Sequence, residues 1–128
     1  IAAGAVMGAG LGESARAALM ARGFAEMRRV AAFRGARDDT LAGLSGFGDL
    51  VLTCTSDKSR NYRHGQALAG ARPLDKAATV EGAATAQELA SHTDLETPIA
   101  DAVAALCQGR VSVQDVMAEL LNRPLKQE

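Results

Sequence analysis

An acidic residue and a basic cluster lie close together in this sequence, separated by a short apolar stretch. Asp49 follows a glycine-rich turn, and a run of cations begins about ten residues later. Within that run Arg60, Arg63 and His64 are spaced i, i+3 and i+4, so on a helix they would share one face. Ser59 precedes them and is a favourable N-cap residue. The pattern therefore predicts a helix that begins with cations.

Such a helix start predicts a site for an anion. The first turn of a helix carries partial positive charge, and natural helices usually place acids there. Cations at this end are unfavourable unless an anion sits in front of them. Free backbone N–H groups together with the guanidinium of Arg60 would suit a phosphate group. We therefore predict a phosphate site at Ser59–Arg60, with Asp49 as the nearby acid.

The composition allows a single domain and argues against binding of nucleic acid and against insertion into a membrane. The chain has 128 residues, of which 48% are hydrophobic, so it can bury one sizeable core. Fourteen basic and fifteen acidic residues give a net charge of −1, and only 3% of residues are aromatic. We therefore expect no binding of nucleic acid by general attraction or base stacking. The apolar first residues are too short to span a bilayer, so we expect no membrane insertion.

The periodicity of apolar residues predicts helices throughout. A long helix is expected from about residue 12 to Phe33, and apolar stripes on two of its faces suggest that other helices surround it. Shorter helices are predicted near residues 38–44, at 59–68, and after Thr97 and Ser112. A capping-box spacing suggests a further start at Thr85, with a start near Gly82 as the alternative.

Three further segments carry local signals of their own. Gly4 and Gly8 are predicted to permit close helix packing, because no strand precedes them and a dinucleotide loop is not indicated. Residues 51–55 form the one strand-like stretch, and one strand cannot make a sheet. A short helical turn is expected from Pro73. We therefore predict an all-α fold, a single domain over residues 1–128 with about seven to nine helices.

Several motifs together resemble a known family. They are IAAG at residues 1–4, GLGE at 10–13, AALMARGFAEM at 17–27, GFGDLVLTCT at 46–55, SRN at 59–61, VEG at 80–82 and TPI at 97–99. In this combination they closely resemble the C-terminal, substrate-binding domain of bacterial NAD(P)-dependent glycerol-3-phosphate dehydrogenase. The resemblance runs along essentially the whole chain.

The resemblance implies a fold and an activity. The expected fold is the compact multi-helix domain of glycerol-3-phosphate and 6-phosphogluconate dehydrogenases. The family interconverts dihydroxyacetone phosphate and sn-glycerol 3-phosphate by hydride transfer with NAD or NADP, in glycerophospholipid synthesis. An N-terminal Rossmann domain, which we expect to lie outside this chain, holds most of the cofactor. The family's catalytic lysine lies in a Leu-Lys-Asn-Val segment just before the position matching Ile1. No catalytic residue is therefore expected in this chain apart from a supporting role for Asp49.

The resemblance also implies roles for residues of the substrate site. Asp49 matches a substrate-contacting aspartate, and a carboxylate can accept a hydrogen bond from a substrate hydroxyl. Its alternative role is to cap the helix that follows. Ser59, Arg60 and Asn61 match the trio that binds substrate, offering a hydroxyl, a guanidinium fork and an amide. The alternative for Arg60 is a solvated surface arginine.

The cofactor is expected to touch this domain at a second motif. Thr79 and Glu81 match residues that contact the nucleotide, and Arg60 also approaches the cofactor in this family. The family often has valine at the position of Thr79, which matters little if backbone atoms make the contact. A carboxylate exposed at a helix start is the alternative interpretation of Glu81.

Partners and location follow from the same resemblance. The expected partners are the two phosphorylated substrates, the N-terminal Rossmann domain, and a second copy of the protein in a homodimer. Cys54 and Cys107 lack nearby metal ligands, so no metal site is expected, and they suit small buried thiols in a reducing cytoplasm. A helical phosphometabolite-binding or oligomerisation module that acts alone is the second hypothesis.

Overall fold

A computed structural model describes residues 1–75 and 79–122, and this part of the chain is helical without strands. Eight α-helices and one π-helical turn follow one another, which confirms the all-α prediction. The helices are α1 Ala2–Gly8, α2 Glu13–Phe33, α3 Asp38–Leu41, the π-turn Leu44–Gly48, α4 Asp49–Thr55, α5 Arg60–Leu68, α6 Glu81–Ala90, α7 Pro98–Cys107 and α8 Val113–Asn122.

The core lies where α1, α7 and α8 meet. Its fully buried apolar side chains include Val6, Leu19, Val103, Met117 and Leu120. Removing such side chains from water is the main favourable contribution to folding. In the described part of the chain, no helix is both long and apolar enough to cross a bilayer.

Helices α1 and α5 are packed backbone to backbone. A Cβ atom at Gly4 would overlap the carbonyl oxygen of Tyr62, and one at Gly65 would overlap that of Ile1. A Cβ at Gly8 would lie 2.9 Å from the Cβ of Ala69. The prediction that glycines permit close packing of the first helix is therefore confirmed. This contact fixes the position of α5, which carries the predicted substrate residues.

The π-turn is held between α2 and α3. The ring of Phe47 meets that of Phe24 edge to face, with ring centroids 5.1 Å apart. Gly46 is buried, and a Cβ there would overlap the carbonyl oxygen of Leu41. These contacts set the start of α4 and thereby place Asp49.

Helix α2 is less enclosed than its sequence suggests. Only Leu19 and Glu26 are fully buried, whereas Met20, Phe24 and Met27 are half-buried. Helix α2 contacts α1, α3, α4, α7 and α8, so the prediction that other helices surround it is confirmed. They do not bury it completely, and many of its apolar residues are alanines, which cover little surface.

The predicted helix starts are mostly right. Thr97 precedes α7, with Pro98 as its first residue. Ser112 Oγ accepts a hydrogen bond from Asp115 N at 3.1 Å and donates to Asp115 Oδ2 at 2.6 Å, so α8 has the predicted cap. Pro73 does not begin a helix within residues 73–75, and Lys76 lies outside the described residues, as does Pro124.

Threonine hydroxyls explain two local features. Helix α6 begins at Glu81, which confirms the alternative start near Gly82 and not the start at Thr85. Thr85 lies inside the helix, and its hydroxyl donates to the Glu81 carbonyl at 3.0 Å. The strand-like residues 51–55 belong to α4. There the hydroxyls of Thr53 and Thr55 donate to carbonyls one turn earlier, at 2.8 and 2.7 Å. Threonine hydroxyls can satisfy helical carbonyls, so these residues are tolerated within helices.

Candidate functional site

The start of α5 has the predicted cap. Ser59 has an extended backbone, with φ −69° and ψ 122°, and its Oγ accepts a hydrogen bond from Tyr62 N at 3.2 Å. This bond satisfies one of the amides that a helix start leaves free. The local sequence therefore determines where α5 begins and points its first side chains away from the helix body.

Arg60 is paired with an acid from another helix. Its Nη2 lies 3.4 Å from Oε1 of Glu81, and both side chains are largely exposed. The anion that the sequence predicted in front of this helix start is therefore supplied in part by the protein itself. Glu81 supplies one, although 21 residues separate the pair in sequence. An ion pair this exposed contributes little to stability, so an external anion can compete with it.

Asn61 joins the same two segments through a hydrogen bond. Its Oδ1 accepts from the backbone N–H of Gly82 at 3.1 Å. Arg60 and Asn61, predicted to bind substrate, therefore contact Glu81 and Gly82, from the motif predicted to contact the cofactor. The sequence predicted both motifs but not their direct contact.

The other two residues of the basic cluster have different partners. Arg63 Nη1 donates to the carbonyl oxygens of Asp57 at 2.6 Å and Lys58 at 3.1 Å, which ties down the loop before α5. His64 Nε2 lies 3.9 Å from Sγ of Cys107 on α7, and burial lowers the pKa of His64. The three residues predicted to share one cationic face therefore have different partners. Of Arg60, Arg63 and His64, only Arg60 remains near the predicted anion site.

Asp49 is exposed at the first residue of α4. Gly48 is the N-cap residue, and no side-chain hydrogen bond caps this helix, so the alternative role of Asp49 as a side-chain cap is not seen. A carboxylate in the first turn still interacts favourably with the helix dipole. The exposed carboxylate is available to a ligand, and its substrate contact stays a prediction.

A partly buried guanidinium links the surroundings of Asp49 to α5. Arg16, from the first turn of α2, forms an ion pair with Glu13 and donates to the Tyr62 hydroxyl at 3.5 Å. Burial raises the pKa of Cys54, Asp49 raises it further, and Arg16 opposes that increase. Arg16, Asp49 and Cys54 therefore lie close enough together, between α4 and α5, to influence one another electrostatically. No sequence pattern indicated this role of Arg16.

Four of the six predicted site residues are exposed, whereas Ser59 and Asn61 are half-buried. The structure has a cavity of about 400 Å³ beside α7 and α8 and another of about 220 Å³ beside α3. None of the six predicted site residues lines either cavity; these residues are Asp49, Ser59, Arg60, Asn61, Thr79 and Glu81. Thr79 is exposed directly before the start of α6. A ligand held by these side chains would need a further surface to enclose it.

Glu26 is a buried polar residue whose role the sequence did not indicate. One turn earlier in α2, the Nη2 of Arg22 donates to the Leu121 carbonyl at 3.3 Å. The carboxylate of Glu26 accepts hydrogen bonds from Ile99 N at 2.8 Å and Ala100 N at 2.9 Å. It therefore caps α7 from a different helix.

Comparisons with known proteins identify the family. Residues 1–118 match the family model described as the C-terminus of NAD-dependent glycerol-3-phosphate dehydrogenase. The chain is 60% identical to a glycerol-3-phosphate dehydrogenase [NAD(P)+] from Cereibacter sphaeroides, covering all of this chain and 43% of that protein. It is 56% identical to the protein of that name from Paracoccus denitrificans, covering all of this chain and 42% of the relative.

A solved structure agrees with these relatives. The crystal structure of glycerol-3-phosphate dehydrogenase from Coxiella burnetii matches with a TM-score of 0.84 and 38% sequence identity. The match covers 95% of this chain and 40% of that one. The chain thus spans about two fifths of the length of the relatives it matches. It belongs to the NAD-dependent glycerol-3-phosphate dehydrogenase family, and it corresponds to the C-terminal domain of that family.

Proposed function

We propose that residues 1–128 form the single substrate-binding domain of an NAD(P)-dependent sn-glycerol-3-phosphate dehydrogenase. In this proposal the complete protein interconverts dihydroxyacetone phosphate and sn-glycerol 3-phosphate for glycerophospholipid synthesis, and an N-terminal Rossmann domain holds most of the cofactor. The family match and relatives at 56–60% identity support it.

One observation carries the proposal beyond family membership. The start of α5, with the residues that match the substrate site, contacts the start of α6, with the residues that match the cofactor site. Two consecutive pairs make the contact: Arg60 with Glu81 at 3.4 Å, and Asn61 with Gly82 at 3.1 Å. Hydride transfer requires two ligands whose reacting atoms approach within about 3–3.5 Å. Adjacent binding segments for substrate and cofactor suit that requirement.

Each side chain in this proposal has a role that its chemistry permits. The Arg60 guanidinium and the Asn61 N–H groups donate to the substrate phosphate, and the Ser59 hydroxyl can also donate. Asp49 accepts from a substrate hydroxyl and interacts with the lysine of the complete protein. These roles bind and orient the substrate.

In this proposal the exposed residues at the start of α6 contact one edge of the nicotinamide cofactor. Thr79 and Glu81 are both exposed, and Glu81 lies in the first turn of the helix. When bound, NAD(P)H supplies the hydride to the carbonyl carbon of dihydroxyacetone phosphate, and the oxidised form accepts it in reverse. Glu81 also holds Arg60 until a phosphate competes for the guanidinium.

Substitution of Arg60 tests the proposal. In the complete protein, Arg60→Ala should lower kcat/KM for dihydroxyacetone phosphate by roughly tenfold to a hundredfold, because a charge-assisted hydrogen bond contributes about 1.5–3 kcal/mol. The measurement is NADH or NADPH oxidation followed by absorbance. Arg37, which is 83% exposed and paired with Asp39, provides the control, and Arg37→Ala should keep full activity. Equal activity of the two variants would contradict the proposal and would show that Arg60 is a surface residue without a role in substrate binding.

Two properties of the complete protein belong to the same proposal. We place it in the cytoplasm, where the free thiols of Cys54 and Cys107 would persist. We also expect a homodimer, which light scattering would report as twice the monomer mass.

A further inference from the structure

Helix α6 has no cap from its own local sequence. Its N-cap residue is Val80, which makes no side-chain hydrogen bond to the helix start. An N-cap side chain normally accepts from the second or third amide of a helix, and Gly82 is the second residue of α6. That amide donates to Oδ1 of Asn61, at 3.1 Å. Asn61 therefore supplies from α5 the cap that Val80 cannot provide.

The contact also depends on the absence of a side chain at position 82. A Cβ atom on Gly82 would lie 2.6 Å from Oδ1 and 3.0 Å from Cγ of Asn61. Real Cβ atoms essentially never approach that closely, so a methyl group would displace the amide. The hydrogen bond and the short distances from a Cβ at position 82 together show that the Asn61 side chain packs directly against the start of α6.

This arrangement limits what Asn61 can offer a ligand. Its amide oxygen already accepts from Gly82, so its two N–H donors are what remains available. We propose that Asn61 is a positioning residue that holds the start of α6, and with it Glu81, while its free N–H groups only donate to a bound ligand. The identity of the ligands rests on the proposed function, but the capping role does not.

Three substitutions separate the capping and donating roles. Asn61→Asp keeps an acceptor for the Gly82 amide but has no donor, whereas Asn61→Ala has neither. Gly82→Ala keeps the asparagine and displaces it. Helix propensity alone predicts that Gly82→Ala stabilises the helix. A loss of stability in this variant would therefore be opposite in sign to the effect of helix propensity. Gly23 in α2 is the matched control, because its Cβ would contact only Cδ1 of Ile99, at 3.8 Å.

Amide hydrogen exchange on this chain tests the capping role without any catalysis. Asn61→Ala and Gly82→Ala should each lower the protection of the amide at position 82 by roughly threefold to tenfold, the effect of losing one hydrogen bond. Asn61→Asp and Gly23→Ala should keep wild-type protection there. Unchanged protection in Asn61→Ala would overturn the inference.

Kinetics of the complete protein test whether the position of α6 matters for binding. Asn61→Ala should raise KM for both the phosphorylated substrate and the nicotinamide cofactor. Asn61→Asp should restore the cofactor KM while the substrate KM stays raised, a division that general loss of stability would not produce. Equal increases of both KM values in the two variants would overturn the inference. If the unsubstituted protein had no dehydrogenase activity, the proposed function would fail, whereas the exchange result would still decide the capping role.

Discussion

The carboxylate of Glu26 is buried and accepts two backbone hydrogen bonds from the start of α7. Only 6% of the residue is exposed, and the donors are Ile99 N and Ala100 N. Burial raises the pKa of Glu26, while the two backbone hydrogen bonds and Arg29 oppose that increase. One residue therefore fixes α7 against α2, and its charge state depends on the fold.

Removal of this carboxylate should destabilise the protein. Glu26→Ala leaves two amides of α7 without an acceptor, and we expect the free energy of unfolding to fall by about 2–4 kcal/mol. Urea denaturation followed by circular dichroism measures this loss. Glu88→Gln is the control, because Glu88 is 62% exposed in its pair with Arg34, and it should change little. Equal effects of the two substitutions would contradict the capping role of Glu26.

The pH dependence of this residue has a defined sign. Because burial raises the pKa of Glu26 above its ordinary value of 4.5, the folded chain binds this proton more tightly than the unfolded chain. The resulting stabilisation is full below the unfolded-state pKa and is lost as pH rises through the higher folded-state pKa. Relative to Glu26→Gln, the wild type should therefore lose stability as pH rises above the ordinary glutamate pKa of 4.5, over the range that ends above the raised pKa. A relative gain over that range would show that the hydrogen bonds outweigh burial.

At the scale of elements, the contact between α1 and α5 positions the candidate site. Gly4 and Gly65 let the two backbones touch, and α5 then carries Arg60 and Asn61 to the start of α6. The position of the site therefore depends on glycines that lie outside it. A change in this packing would move the substrate residues without altering any of them.

Gly65→Ala tests this dependence. The added Cβ would overlap the carbonyl oxygen of Ile1, so the helices must separate, and we expect a loss of about 2 kcal/mol or more in unfolding free energy. Gly23→Ala is again the control and should stabilise the protein by about 0.5–1 kcal/mol, since alanine favours a helix. Thermal denaturation distinguishes the two, and a stabilised Gly65→Ala variant would refute the close packing.

Local sequence signals were largely sufficient to predict where the helices begin. Ser59 and Ser112 cap α5 and α8 as predicted, because capping depends on residues three positions apart. Of the two starts predicted for α6, the one near Gly82 is right and the one at Thr85 is wrong, and the acceptor that caps this helix comes from Asn61 on another helix. A cap supplied across space leaves no pattern in the neighbouring sequence.

At the scale of the whole molecule, the candidate anion site is exposed and partly neutralised by Glu81. We therefore expect this chain to bind inorganic phosphate weakly, with less binding at higher salt, because exposed charges are screened over about 8–10 Å. NMR titration should shift the amide signals of Arg60 and Asn61 but not that of Arg37. Glu81→Gln should bind phosphate more tightly, since the competing carboxylate is removed. Absence of shifts in both proteins would rule out an anion site here.

Sequence alone determined the helical fold, most helix starts and the membership in a dehydrogenase family. Those properties depend on apolar periodicity, local caps and motifs, each of which is contained in short stretches of chain. Tertiary structure alone decided which groups meet: Asn61 with Gly82 across 21 positions, and Glu26 with Ile99 across 73. Such contacts depend on how closely whole helices pack, and that packing is determined by the combined fit of distant side chains and glycines.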